Sequence, residues 1–259
     1  MDEVARFNRE RWNDLADAGI SFSLPWLDLT ADEARRRVDP EGLMDDPSGR
    51  RVLCLAGGGG QQSAAFALLG AEVTVVDLSD VQLSRDREAA QHYGLTISTV
   101  QADMRDLSCL RPRSFDHVWH AHSLSFVPSA SQVFAEVARV IRRGGRYRLS
   151  YTNPFCHGMW EDTWNGQGYV LSLRYEDGPA QDDSPWQFRD AEGRERSIPG
   201  PREFRHRLST VINGLVGCGF RILGLFEDTG SAVDPEPGSW EHFMAVAAPW
   251  ITVWAQYEG

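Results

Sequence analysis

Four consecutive glycines, Gly57 to Gly60, separate a short apolar run from a helix-forming stretch in this 259-residue chain. Lacking Cβ atoms, they let backbone approach a ligand closely, and the helix that follows offers N–H groups with no partner inside it. Two nucleotide-binding motifs that begin this way do not fit. Counting G-x-G-x-x-G from Gly58 places Ser63 at the final glycine, and Gln61 and Gln62 stand where a phosphate loop carries its lysine. Asp77, 19 residues beyond Gly58, ends the next apolar run. A carboxylate there can accept hydrogen bonds from both hydroxyls of a ribose. It can equally cap the next helix, although Ser79 or Asp80 would fill that role. Asp103, in QADMRDL, ends the third run and could accept from an adenine amino group, with Met104 against the ring face. Together these positions describe a nucleoside-shaped site along one edge of a sheet.

Acid–base chemistry would fall to histidines. His120 and His122 follow the fourth apolar run, and their alternation in an extended segment sends them to opposite faces. A histidine near its ordinary pKa can remove a proton from a hydroxyl. His122 is a candidate base, with packing as the other reading. His206, expected on a helix, is a second candidate, and could instead bond a neighbouring loop. Tyr151, His157 and Trp160 lie where a substrate pocket would be shaped, and Trp12 could close over it. Each tryptophan can also be read as ordinary core.

The elements that must position these residues are legible from 51 to 151. VLCLA (52–56), EVTVVD (72–77), TISTVQ (96–101), FDHVWHA (115–121) and RYRLSY (146–151) read as strands. Helices alternate with them: QQSAAFALLG, DVQLSRDREAAQHYG closed by Gly94, and SASQVFAEVARVIRRGG with a serine cap and a glycine stop. This order predicts a parallel sheet with right-handed crossovers. Residues 1–48 predict helices, one carrying Phe7, Trp12, Leu15 and Ala16, another over ADEARRRV capped by Thr30 or Asp28. Residues 152–200 break the rhythm, rich in Pro, Gly, Asp and Trp, and are expected to fold as a cap, with YVLSLRYED as a hairpin strand. PREFRHRLSTVINGLVGCG reads as a helix, FRILGLFED as a strand, and HFMAVAAPWITVWAQY contains a final strand.

Composition removes several function classes. Net charge is −11, from 26 basic and 37 acidic residues, so no basic surface is offered to nucleic acid. No apolar run approaches the ~20 residues of a membrane span, and the first residues lack the apolar core of a signal peptide; a cytoplasmic location is expected. Four scattered cysteines and the absence of His–carboxylate clusters at ligand spacing predict neither disulfides nor a metal.

VLCLAGGGGQQ, VVDLSDVQL, QADMRDL, FDHVWHAHSLSFVP and the later TNP, EFRHRL and LFED resemble a bacterial branch of the class I S-adenosylmethionine (SAM) dependent methyltransferases. Two positions depart from the common pattern: Cys54 stands where an acid is frequent, and Ala56 replaces the first glycine. The resemblance implies a Rossmann-like α/β fold with a seven-stranded sheet, an N-terminal helical lid (1–48), a SAM-binding core (49–151), an inserted cap (152–200) and a C-terminal part of the core (201–259). It implies that Gly58 lines the methionine moiety, Asp77 the ribose, and Asp103 with Met104 the adenine. Ala56, Gly57, Gln62, Leu78, Gln82, His120 and Ser123 complete the implied cofactor set. The reaction expected is methyl transfer to an O, N or C atom of a small molecule by a monomer or homodimer, with S-adenosylhomocysteine as product. The rival readings are a SAM enzyme that transfers no methyl group, a nucleoside-binding regulator without turnover, and a nicotinamide-dependent reductase.

Overall fold

The computed structural model describes residues 1–180, 185–190 and 192–259; positions 181–184 and 191, within the expected cap, lie outside the described residues. In chain order the first half runs α1 (Glu3–Asp17), α2 (Ala31–Val38), β1 (Arg51–Leu55), α3 (Gln62–Leu68), β2 (Glu72–Asp77), α4 (Asp80–Tyr93), β3 (Ile97–Gln101), β4 (Phe115–His120), α5 (Ala130–Val140) and β5 (Ile141–Thr152). The second half contributes β6 (Gly178–Pro179), β7 (Pro185–Arg189), β8 (Glu195–Pro199), β9 (Phe204–Arg205), α6 (Leu208–Gly217), β10 (Phe220–Asp228), α7 (Trp240–Ala247) and β11 (Trp250–Tyr257).

Seven strands form one sheet in the order β10-β11-β5-β4-β1-β2-β3. The strands from β5 to β3 pair in parallel, and β11 inserts antiparallel between β5 and β10. Strands buried on both faces need apolar residues of both parities, and β1 supplies them. Leu53 and Leu55 join a core with α5 and α6, including Phe134, Val137, Val211 and Leu215. Val52 and Cys54 face the other layer, packed on Ala34 and Val38 of α2, Phe66 of α3 and Leu83 of α4. The first layer is tight: a Cβ at Gly214 would sit 2.9 Å from the Phe134 ring, so α5 and α6 meet where one side chain is missing.

Helix ends follow their local chemistry. Thr30 caps α2 in a reciprocal box with Glu33, Ser79 caps α4 and Ser129 caps α5. Gly94 ends α4 in the left-handed region at φ 65°.

Three expectations are corrected. The stretch YVLSLRYED forms no strand; the hairpin is β7–β8, reversed through Asp190, whose side chain accepts from the Glu192 and Arg194 N–H groups. Residues 169–175 have the alternation of a strand but no turn chemistry to bring a partner beside them. α5 stops at Val140, and β5 begins before its glycines. Ile141 and Arg146 pair with Phe115 and His117, so residues 142–145 bulge out with Gly144 at φ 81°. The helix expected from Pro201 starts only at Leu208. Residues of the segment between β5 and α6 hold its N-terminus: the Asp177 carboxylate accepts from the Arg207 N–H and the Thr210 hydroxyl, and the Tyr175 hydroxyl accepts from the Leu208 N–H. PREFRHR is extended instead, with β9 paired to β6.

Candidate functional site

The C-terminal ends of β1 and β2 meet at the glycine turn. Ala56 follows β1 with a left-handed φ of 46°, a conformation suited to the glycine that it replaces. The Gly58 N–H donates to Asp77 Oδ2 at 3.1 Å. A Cβ on Gly58 would lie 2.8 Å from Gln82 Cδ, so the turn presses directly on the side chains of β2 and α4. Asp77 also accepts from the Ser79 N–H at 2.8 Å, and its burial pushes its pKa up to about 6. Ser79 caps α4, which leaves Asp77 facing the glycine turn.

Two buried amide oxygens beside this turn, Gln62 Oε1 and Gln82 Oε1, have no partner among the described residues. A Cβ on Gly57 would stand 3.7 Å from the first of them. Buried acceptors without donors are costly. Here they surround glycine backbone and a carboxylate, and so call for a ligand rich in N–H and O–H donors. A pyrophosphate would bring only acceptors to the same place. SAM fits, since its ammonium group and ribose hydroxyls are donors.

The N-terminal segment closes over this edge. A Cβ on Gly59 would touch the Ser23 backbone at 3.0 Å. Gln82 Nε2 donates to the Ser23 hydroxyl at 2.8 Å, and Gln61 Nε2 to the Leu24 carbonyl at 2.9 Å. On α1, Asn13 accepts from the Ser79 hydroxyl at 2.6 Å and donates to Asp80 at 3.2 Å. Asn8, almost fully buried, donates to the Phe126 and Arg202 carbonyls and accepts from the Arg202 N–H.

The expected base-recognition residues all have partners within the protein. Met104 packs against the α5–α6 core. Asp103 is not a free carboxylate: Arg105 donates to both its oxygens, the shortest contact being 2.6 Å, and reaches on to Asp2 at the start of α1. Arg105 in turn holds the Asp2 carboxyl down at about 2. Leu78 is half-buried between Asp77 and Ser79, and its carbonyl accepts from Gln101.

His120 is fully enclosed. Its Nδ1 bonds the Tyr147 hydroxyl at 2.8 Å and its Nε2 the Ser123 hydroxyl at 2.9 Å. Desolvation pushes its pKa down to about 3. The expected direct cofactor contact is therefore corrected: the ring is shielded, and Ser123 is the group that it positions. His122 sits differently. The residue is exposed, and its ring meets Trp250 edge-on at 4.8 Å. Desolvation by neighbouring protein, with the Arg148 charge and against the opposing Asp228, pushes its pKa down to about 4.

His206 is not on a helix. It lies in the extended segment before α6, buried, with Nε2 2.9 Å from the Val127 carbonyl and 3.2 Å from that of Leu124. A ring nitrogen facing two carbonyls carries its hydrogen, so this imidazole clamps the loop after β4 rather than presenting a base there.

The aromatic residues separate into two groups. Trp12 meets Phe22, Phe126 and Trp186 edge-on, joining α1, the loop after β4 and the hairpin. Trp160 is exposed and stacks on Trp240 beside Phe243, at the edge of a satellite cluster that contains Phe243, Met159 and Cys156. Tyr151 belongs to the main core, its hydroxyl buried and unpartnered among the described residues. His157 is half-buried just beyond β5. Asn8, Arg105 and Trp186 carry no sequence signal of their roles, because the partners that give them, such as Asp2 for Arg105 and Arg202 for Asn8, lie 103 and 194 residues away. Among the described residues no helix is long and apolar enough to cross a membrane.

This arrangement has relatives. A family model described as a methyltransferase domain matches residues 53–149. The uncharacterised methyltransferase YbaJ of Bacillus subtilis is 31% identical over 245 residues, 90% of this chain and 94% of that protein. A ubiquinone biosynthesis O-methyltransferase of Xanthomonas oryzae pv. oryzae is 35% identical over 122 residues, 45% of this chain and 49% of the relative. In fold, an S-adenosylmethionine dependent methyltransferase from Mesorhizobium loti matches with a TM-score of 0.65 at 22% identity, covering 88% of this chain and 100% of that one. The chain belongs to the class I SAM-dependent methyltransferases, and SAM is its cofactor.

Proposed function

We propose that this enzyme moves the methyl group of SAM to an O, N or C atom of a small-molecule acceptor, held beyond the end of β4 between an N-terminal lid (1–48) and an inserted cap (152–200). The observation that carries the reading is the pair of unpartnered oxygens, Gln62 Oε1 and Gln82 Oε1, beside the glycine turn and Asp77. They match the donors of SAM, whose sulfonium supplies an activated methyl group when bound. The net charge of −11 disfavours a nucleic-acid acceptor, and the folded insertion favours an enclosed small one.

In this reading Asp77 and Gln82 accept from the ribose hydroxyls, Gln62 from the ammonium group, and Ala56, Gly57 and Gly58 line the methionine part. Leu78, Asp103 and Met104 border the base, with Asp103 kept in place by Arg105. Ser123, fixed by His120, faces the site past β4. Alignment of nucleophile, methyl and sulfur is the main requirement of such a transfer. His122 supplies a neutral imidazole that accepts a hydrogen bond from the attacking group. At a pKa near 4 it orients that group and is a weak base. His206 sets the position of the loop carrying Leu124 to Val127. Tyr151, His157, Trp160 and Trp12 are the proposed acceptor-facing residues of the cap and lid. A monomer or a homodimer would work alike, because one chain supplies all these groups.

Calorimetric titration with SAM, S-adenosylhomocysteine and NAD(H), on the native protein and on Asp77→Ala, tests the reading. Binding of both sulfur nucleosides, lost in the variant, is expected. Binding of NAD(H) alone would overturn it.

A further inference from the structure

Asp86 has no role in the scheme above, yet it touches the glycine turn. It lies on α4, one turn beyond Gln82, and is fully buried. Its Oδ1 accepts from the Gly60 N–H at 3.1 Å and from the Ser63 hydroxyl at 2.5 Å. Its Oδ2 has no partner among the described residues. Helix and turn are in close contact at this point: Gly60 has φ 71°, and a Cβ there would come within 2.5 Å of the Arg85 carbonyl oxygen. One carboxyl oxygen thus fixes the end of the glycine turn and the first turn of α3 against α4.

Burial and a neighbouring carboxylate oppose an anion at Asp86 and outweigh the Ser63 and Gly60 hydrogen bonds, which favour one. The Asp77 carboxylate on β2 opposes a second negative charge. The Cys54 thiol on β1 is kept neutral, its pKa pushed up by burial and by Asp86. Ser63 on α3 donates a hydrogen bond without carrying charge, and Arg87 on α4 itself is the nearby cation. Burial and Asp77 together push the Asp86 pKa up to about 7. An ionised carboxylate with one dry, unpartnered oxygen is far costlier than a neutral acid in the same place.

We propose that Asp86 is a positioning residue for the cofactor site, holding the glycine turn as a neutral carboxylic acid and leaving Asp77 as the anion that faces the ribose. The ligand part of this proposal rests on the SAM reading above; the protonation part does not. The sign of the linkage follows from a folded pKa above the unfolded one. Relative to an asparagine, the native residue loses stability as pH rises from the unfolded value near 4 to the folded value, and the difference is level above it.

Asp86→Asn keeps the Oδ1 acceptor and removes the titration; Asp86→Ala removes both. Thermal unfolding from pH 5.5 to 8.5 without ligand, with S-adenosylhomocysteine titrated at pH 6.5, between the Asp77 and Asp86 values, separates the possibilities. The expected result is that Asp86→Asn binds within about threefold of the native protein and Asp86→Ala about tenfold more weakly or worse. The melting temperature of Asp86→Asn should gain on the native one up to about pH 7 and run parallel above it. If Asp86→Ala does not fold, Ser63→Ala replaces it, with a loss of about three- to tenfold expected from one missing donor. Two results would overturn the proposal: binding lost equally in the Asn and Ala variants, or a melting difference that is constant with pH. If the native protein binds no S-adenosylhomocysteine, the cofactor reading fails, and the melting profiles still decide the protonation claim.

Discussion

Replacing Asn8 by alanine should release the N-terminal helix from the rest of the protein. The side chain is almost fully buried and makes three hydrogen bonds, at 2.9 and 3.0 Å as donor and 2.7 Å as acceptor. They join α1 to the loop after β4 and to the backbone at Arg202. Each contributes about 1 kcal/mol net, so their loss amounts to about 3 kcal/mol, before any penalty for the stranded Phe126 and Arg202 groups. Because α1 touches the core along one edge, the loss should appear as local opening more than as global unfolding. Hydrogen exchange of peptides from residues 3–17, followed by mass spectrometry, reads that opening directly. An opening energy lower by about 3 kcal/mol speeds exchange by about 150-fold under conditions where opening is a pre-equilibrium. Exchange within threefold of the native rate would refute the reasoning. It would mean that the helix is already undocked in solution, or is held by contacts other than Asn8.

Three further outcomes follow from geometry already given. Ala56→Gly should raise stability by about 0.5–1 kcal/mol in urea unfolding, since glycine adopts φ 46° without the cost that alanine bears; a loss would show that the turn is not strained. His122 should stay neutral from pH 5.5 to 8, because its pKa is held near 4. Its ring proton resonances should then not shift across that range, and a midpoint near 6.5 would show that solvent, not protein, surrounds the ring. A double-mutant cycle of Trp12→Ala and Trp186→Ala should give a coupling of about 1 kcal/mol from their edge-on contact at 5.8 Å, and additivity would show that α1 and the hairpin do not touch.

The parallel core was legible because its signals are local and mutually consistent. β1 carries apolar residues of both parities, Ser79 and Ser129 stand at helix starts, and Gly94 stands at a helix end. The glycine turn and Asp77 could be placed for the same reason, each following a readable strand. Features that depend on distant partners were hidden. The start of α6 is set by Tyr175 and Asp177, some 33 residues earlier, so an uninterrupted helix pattern from Pro201 misled. His206 looked like a catalytic candidate, since nothing nearby in sequence shows that two carbonyls near residue 125 claim its ring nitrogen. Asp86 carried a faint sign, an acid at helical spacing from the buried Leu83 and Ala90, but the residues it meets lie on another helix and a loop.

The way in which α6 begins bears on how this enzyme can change its substrate. Two residues of the segment between β5 and α6 satisfy the first N–H groups of a helix that lines the main core. A long irregular segment is readily pictured as a removable module, yet this one is a structural component of the sheet domain. A graft from a relative must bring residues able to do the work of Tyr175 and Asp177, or the helix beneath will fray. Variation should therefore concentrate on either side of these anchors, over residues 155–173 and in the strands 185–189 and 195–199, while the anchors stay constrained whatever the acceptor.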